Sequence, residues 1–306
     1  MVKRSLPSPR RACERSTLLR CIRRAVLAVC ILPAAADLAC GEAPGGRLKT
    51  IRETATLRIA YRTDSPPFSS VRAGERHPIG YTIELCQRIA KSLERDMEMP
   101  ALAIQWVPVD SLTRFAAVAS GTADMECGST TVTLSRMKTV DFSSLVFAES
   151  TGVLVRSNAG INRFEDLAGR TIGVVPGSSN AQAVRSQIDK RKLDVRVVEF
   201  PDREDGVAAL GWKVVDGFAT DKSVLLSLAQ AANPGQFTLL PEDLSFEPFA
   251  IMLPRGDPDF RLAVNTALAR LFRSGEVIGI YGRYFSGAGP PSVWLGAVFM
   301  FGGLPE

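Results

Sequence analysis

The side chains with the most chemical reach in this chain are arginines that stand beside hydroxyls. Ser111 precedes Arg114 by three residues, Arg136 follows Ser129 and Thr131, and Arg62 and Arg203 sit in short segments of their own. A guanidinium is a planar fork of donors that meets a carboxylate through two parallel, charge-assisted hydrogen bonds. Residues of this kind can capture an anion. Pro176-Gly-Ser-Ser-Asn180 adds to it, because this stretch opens a helix whose free N–H groups and dipole favour negative charge near Ser178. Each group also has a plainer use. Ser111 is a natural N-cap for the helix that carries Arg114, Arg62 can be a surface strand residue, Ser178 and Asn180 can cap one helix, and Asp221 the next. His77 is the only histidine, lies in the turn-like Gly74-Glu-Arg-His-Pro78 and reads as a solvated loop residue. With no Cys-x-x-Cys either, a zinc site or a Ser-His-Asp triad has almost no material, so no metal, cofactor or catalytic residue is expected.

The elements that position these residues alternate short apolar runs with amphipathic stretches, which is the α/β pattern. Residues 57–61 read as a first strand, and 81–93 as a helix with Ile83, Cys86, Ile89, Ala90 and Leu93 on one face. Strand 104–107, helix 112–119 and strand 123–127 follow. A second set runs through strand 150–155, short helix 164–167, strand 171–175 and a helix from the Pro176 turn to about residue 187. Segments 193–199, 204–210, 215–219 and 222–231 continue the alternation, before strand 249–253 and helix 260–272. There is no repeat and no flexible tether, which suggests two α/β lobes joined by strands. The tail, 290–306, reads as a packed extension too short to cross a membrane as a helix.

Residues 1–36 read as an export signal. Arg11, Arg15, Arg20, Arg23 and Arg24 precede the apolar run 25–32, and Ala34 and Ala36 supply the small residues of a cleavage site before Asp37. Cys40 raises a lipidated variant, which Asp37, at a position where a lipobox wants an apolar residue, makes the minor reading. The chain holds 37 Lys/Arg and 32 Asp/Glu, of which eight and one lie in residues 1–36, leaving 29 against 31. The basicity thus belongs to the leader, and no nucleic-acid surface is expected. Three of six cysteines leave with it; Cys40, Cys86 and Cys127 remain, an odd number that permits one bridge or none.

Glu126-Cys-Gly-Ser-Thr-Thr-Val-Thr-Leu-Ser-Arg-Met-Lys-Thr-Val-Asp-Phe-Ser143 resembles the extracellular solute-binding proteins of family 3, and more narrowly the periplasmic glutamate/aspartate-binding subgroup. Tyr61-Arg-Thr-Asp-Ser-Pro-Pro-Phe68, Ser120-Gly-Thr-Ala-Asp124, Phe164-Glu-Asp-Leu-Ala-Gly-Arg170 and Phe272-Arg-Ser-Gly275 agree in order and spacing. The resemblance covers roughly residues 57–285. It implies a two-lobed α/β periplasmic binding protein-like fold of type II, with a ligand cleft between lobes and two hinge crossings. The lobes would be 37–146 with 249–306, and 147–248.

The resemblance further implies a monomeric periplasmic protein that binds L-glutamate or L-aspartate and delivers it to the membrane permease of an ABC transporter. Arg136 would clamp the α-carboxylate with Thr131 and groups around Ser178, while Asp221 and Ser129 would take the α-ammonium. Arg62, Ser111 and Arg114 would hold the side-chain carboxylate, and Phe68 would pack on the methylene stem unless it is ordinary core. Two positions depart from the subgroup. Arg203 stands where a histidine is frequent, and Ile251 stands where the partner of the Cys127-type cysteine can lie, so Cys127 is expected to be a free buried thiol. The alternative on the same fold is a periplasmic cyclohexadienyl dehydratase-like enzyme, which would need a cleft acid aimed at a leaving hydroxyl.

Overall fold

Leu57, Ile59, Ala60 and Tyr61 are all buried in β1 (Thr56–Arg62), and a strand apolar on both faces belongs inside a sheet covered from both sides. The computed structural model describes residues 46–72, 74–232 and 235–305. The expected leader, its junction at Ala36 and Cys40 lie outside the described residues.

Helix α1 (Arg47–Thr54) precedes β1; β2 (Asp64–Ser65), β3 (Ser69–Ser70), α2 (Tyr81–Asp96), β4 (Ala103–Val109), α3 (Arg114–Ala119) and β5 (Met125–Cys127) follow. The long β6 (Val140–Arg156) leads into β7 (Thr171–Val174), α4 (Ser179–Arg191), β8 (Arg196–Glu199), α5 (Arg203–Gly211), β9 (Gly217–Asp221), α6 (Lys222–Ala232) and β10 (Phe237–Leu239). The chain returns through β11 (Phe246–Pro254) to α7 (Pro258–Arg273), α8 (Glu276–Tyr284) and α9 (Val293–Gly302).

One sheet runs in the order β4-β1-β5-β11-β6-β9-β7-β8, with β10 beside β6. Its outer parts are parallel, β1 with β4 and β5, and β7 with β8 and β9. Between them β6 and β11 run antiparallel to their neighbours. The first stretch of β6 pairs with β11, from Val140 opposite Pro254 to Ser150 opposite Phe246. Its last stretch, Thr151 to Val155, pairs with β9. These two strands are the two crossings between the halves, made without a tether. The sequence pattern marks only 150–155 and 249–253 as strand, because the flanking turns that would bound a longer run are absent and buried Phe142, Val146 and Phe147 simply continue it.

Around the crossing an aromatic cluster fills the core. Phe68 meets Phe147 at 4.9 Å and Phe249 at 5.2 Å between ring centroids, both edge to face, and Tyr81 and Phe285 complete the group. The buried Tyr81 hydroxyl donates to Val146 O at 2.9 Å, so its polar end is satisfied. The tail that reads as a packed extension forms α9, started by the Ser292 side chain accepting from Leu295 N. Leu295 and Phe299 turn inward, with Phe299 against the Phe272 ring at 5.4 Å, while Val293, Trp294, Met300 and Phe301 remain exposed. Among the described residues no helix is long and apolar enough to cross a membrane. His77 is exposed, as its turn-like setting suggests.

Cys127 is not the free thiol expected. It is bonded to Cys86, with Cα atoms 6.5 Å apart. The neighbouring strand offers no partner at position 251, which is a fully buried Ile. The partner comes instead from the inward face of α2, the helix covering β5. A cross-link spanning 41 residues restricts the unfolded chain. Replacing Cys127 by Ser, or reducing the bond, should cost about 3–4 kcal/mol of stability in denaturant unfolding; equal midpoints with and without reductant would contradict this.

Candidate ligand-binding site

The sheet places Arg62, Arg114 and Arg203 by one rule. In open α/β sheets ligands gather outside the carboxyl ends of parallel strands. Arg62 ends β1, Ser111 and Arg114 follow β4, Ser129 and Thr131 follow β5, Ser178 follows β7, Arg203 follows β8, and Asp221 ends β9. The β5 loop is also fastened to the returning crossing strand, since Val132 N donates to Pro248 O at 2.8 Å and Ala250 N to Thr130 O at 3.2 Å.

Arg203 is the centre of a buried network that joins the two halves. It is the first residue of α5, whose N-cap is Asp202, and its side chain is 2 % exposed as a residue. Its Nη1 donates to Ser65 Oγ at 2.8 Å, its Nε to Thr220 Oγ1 at 2.9 Å, and its Nη2 to Asp221 Oδ2 at 3.3 Å and Ser129 Oγ at 3.4 Å. Arg62 Nη2 donates to Asp64 at 2.8 Å, and Asp64 also lies 3.4 Å from Arg203 Nη1. Asn180 does not cap α4; its amide donates to Asp221 Oδ1 at 2.9 Å and to Thr151 Oγ1 at 2.8 Å.

Arg114 is tied to Glu126 through a hydroxyl. Its Nη1 donates to Thr130 Oγ1, which in turn donates to Glu126 Oε2, both at 2.7 Å. Among the described residues, three buried side-chain polar atoms keep no protein partner: Arg62 Nε, Arg114 Nε and Glu126 Oε1. Gly128 beside them is a spacing requirement, because a Cβ there would stand 2.3 Å from Glu126 Oε1 and 3.2 Å from Arg62 Cγ. Arg114 and Arg136 both lie over the Phe115 ring, at 5.1 and 5.0 Å from its centroid, a favourable setting for cations.

Arg136 reaches across as well, its Nη1 donating to Thr131 O at 2.8 Å and its Nη2 to Gly177 O at 3.4 Å. Glu247 on β11 collects four hydroxyls: Thr131 at 2.5 Å and Ser179 at 2.7 Å on Oε2, Thr151 at 3.1 Å and Ser245 at 2.5 Å on Oε1.

The structure thus brings together Arg62, Arg114, Ser129, Thr131, Arg136, Arg203 and Asp221. Ser111 is buried but is not the cap of α3, because Asp110 Oδ1 takes the N–H groups of Leu112 and Thr113. Ser178 does cap, accepting from Ala181 N at 3.1 Å while its hydroxyl donates to Val175 O. Phe68 is outside the group, fully buried among aromatic rings as ordinary core. Sequence reasoning missed Asp64, Glu126, Glu247 and Phe115. Asp64 and Glu126 stand inside the motifs that carry the family resemblance, and that was the available signal.

Burial sets the electrostatics. Desolvation, then the neighbouring Arg203 charge, pull Arg62 down to about 10, with Asp64 opposing. Desolvation pulls Arg114 down to about 10 as well, while Glu126 opposes it. For Asp221 burial raises the pKa, and Arg203 and Asn180 act against the rise. Asp64 goes the other way: burial would raise it, but Arg203 and Arg62 together hold it below the usual carboxylate range.

Residues 57–287 match the family described as bacterial extracellular solute-binding proteins, family 3. The chain belongs to that family. An L-glutamate/L-aspartate-binding protein of Pseudomonas aeruginosa is 31% identical over 247 residues, covering 80% of this chain and 82% of the relative. A glutamate/aspartate import solute-binding protein of Salmonella typhimurium is 26% identical over 88% of this chain and 91% of its own length. The crystal structure of an ancestral amino acid-binding protein, a precursor of cyclohexadienyl dehydratase, superposes with a TM-score of 0.68 at 25% identity, over 78% of this chain and 99% of that one. Type II amino-acid-binding proteins are therefore the fold neighbours, and this family 3 member is an amino-acid solute-binding protein of the ABC-transporter kind. Family members are substrate-binding transport proteins.

One further acid lies at the crossing of this family 3 protein. Glu149 on β6 is register-paired with Glu247 on β11. Burial pushes Glu149 up from its ordinary 4.5 to about 7, against the pull of donors from Ser223 and Ser150. The folded state therefore binds this proton more tightly than the unfolded chain, so the contribution to stability is full below about pH 4.5 and falls away as pH rises through 7. Glu149→Gln should gain melting temperature over the parent at pH 8 and lose that advantage at pH 5; a difference independent of pH would show that Glu149 does not titrate in this range.

Proposed function

We propose that the protein binds L-glutamate or L-aspartate in the periplasm and presents it to the permease of an ABC transporter. Residues 1–36 are read as its export signal, 37–146 with 249–306 as one lobe and 147–248 as the other, in a monomer. The observation that carries the ligand assignment is the pair of buried, unpartnered N–H groups on Arg62 and Arg114, since such charged donors are costly without an acceptor. A side-chain carboxylate supplies two acceptor oxygens to that wall, and the buried Ser111 is assigned to the same carboxylate. Arg136 with the Thr131 loop and the start of α4 receives the α-carboxylate, Asp221 with Ser129 receives the α-ammonium, and Arg203 is a third arginine for the side-chain carboxylate. A ligand held from both halves favours the closed arrangement by its additional contacts there.

The two relatives described as glutamate/aspartate-binding proteins support this reading. The dehydratase alternative has less behind it, because most acids near the arginines are already engaged by arginine, amide or hydroxyl donors. Titration calorimetry should give glutamate or aspartate much tighter binding than glutamine and asparagine, and equal affinity for the amides would remove the assignment. Arg114→Ala should lose about 2–5 kcal/mol of binding, the scale for unpairing a desolvated charge; unchanged affinity would take Arg114 out of the site.

A further inference from the structure

Asp64 is two residues beyond Arg62 and 5 % exposed, and its carboxylate does what a ligand's carboxylate is proposed to do. Arg62 Nη2 holds it at 2.7 Å from Oδ1 and 2.8 Å from Oδ2. From the opposite half of the sheet Arg203 approaches it three times: its backbone N–H at 3.3 Å from Oδ2, and its Nη1 at 3.4 Å from Oδ1 and 3.5 Å from Oδ2. The Arg62 contact has charge-assisted length, whereas the Arg203 contacts are longer than such bonds usually are. Arg203 has better partners in Ser65 and Thr220, so its hold on Asp64 is loose and exchangeable.

Charge balance gives this arrangement a consequence. Arg62, Arg114, Arg136 and Arg203 face Asp64, Glu126, Asp221 and Glu247, four positive against four negative groups. An acidic amino acid brings one net negative charge into a site that is already balanced, whereas its amide brings none. A buried charge without a counterpart is expensive. An internal group that occupies the receiving arginines also lowers the fraction of molecules ready for ligand, and apparent affinity falls with that fraction.

The geometry points to Asp64 as a specificity-determining residue, a resident carboxylate that competes with the ligand's side-chain carboxylate for Arg62 and Arg203 and bridges the two halves when none is bound. This deepens the reading of the protein as a binder of acidic amino acids and rests on it. Removing the Asp64 charge frees both guanidiniums and leaves the wall one positive charge in excess, which an acidic amino acid, with its single net negative charge, then neutralises. The amide ligands gain little from the same change.

The test is calorimetric titration of the parent, Asp64→Asn and Asp64→Ser with L-glutamate, L-aspartate and L-glutamine, each variant first shown folded by its melting curve. The variants should bind at least one acidic amino acid about tenfold or more tightly than the parent does, with the glutamate-to-glutamine ratio rising, a gain on the scale of a close charge pair. Unchanged or weakened binding of the acidic ligands by the folded variants would overturn the proposal and make Asp64 a scaffold for Arg62. Failure of both variants to fold would overturn it in the same way. If neither parent nor variants bind an acidic amino acid, the functional reading itself fails, and the parent titration shows this separately from the effect of Asp64.

Discussion

Guanidinium groups withdrawn from water must be met by negative charge or fixed acceptors, and this requirement organises the molecule. Arg62, Arg114 and Arg203 are almost completely buried. Their counter-charges do not all come from one local motif. Asp64 lies near Arg62 in sequence but 139 residues from Arg203, and Thr130 relays Glu126 to Arg114. Such a network exists only when the ends of β1, β4 and β5 confront those of β7, β8 and β9. The parallel halves of the sheet and the polar wall between them are thus one construction.

Strands β6 and β11 are the frame on which the confrontation is held. Phe147 and Phe249 face each other in register where the strands cross, and both are packed against Phe68. Just beyond them the same pair of strands carries Glu149 opposite Glu247. Apolar packing therefore fixes one side of the crossing while acids and hydroxyls occupy the other. The loop bearing Thr130 and Thr131 is hydrogen-bonded to β11 at that junction, so the wall and the crossing are mechanically continuous.

Periodicity made much of this legible. Ile83, Cys86, Ile89, Ala90 and Leu93 announced α2, and all five are buried in it. Arg62, Arg114, Arg136 and Arg203 were legible as anion-binding candidates through the family resemblance, and the structure gathers them. The acids were not, because a lone Glu126 in a strand of three residues or a lone Asp64 in a strand of two has no spacing to betray it. Their meaning comes from contacts between segments far apart along the chain. The Cys86–Cys127 bond was missed for a related reason: each cysteine looked like a core residue of its own element, and only the packing of helix on strand brings them into reach. Asp110, not Ser111, begins the turn into α3, a choice between neighbouring side chains that depends on which one faces solvent.

That sulfur link has a bearing on where the chain can mature. Cys127 is flanked by Glu126 and Gly128, so the cross-link from α2 grips the very segment on which the unpartnered acid oxygen and the Arg62 stem rest. Where thiols remain reduced, that grip is missing. Covalent completion of the recognition wall is therefore coupled to the redox character of the surrounding compartment, and material produced in a reducing cytosol would carry the right sequence with a looser floor beneath its arginines.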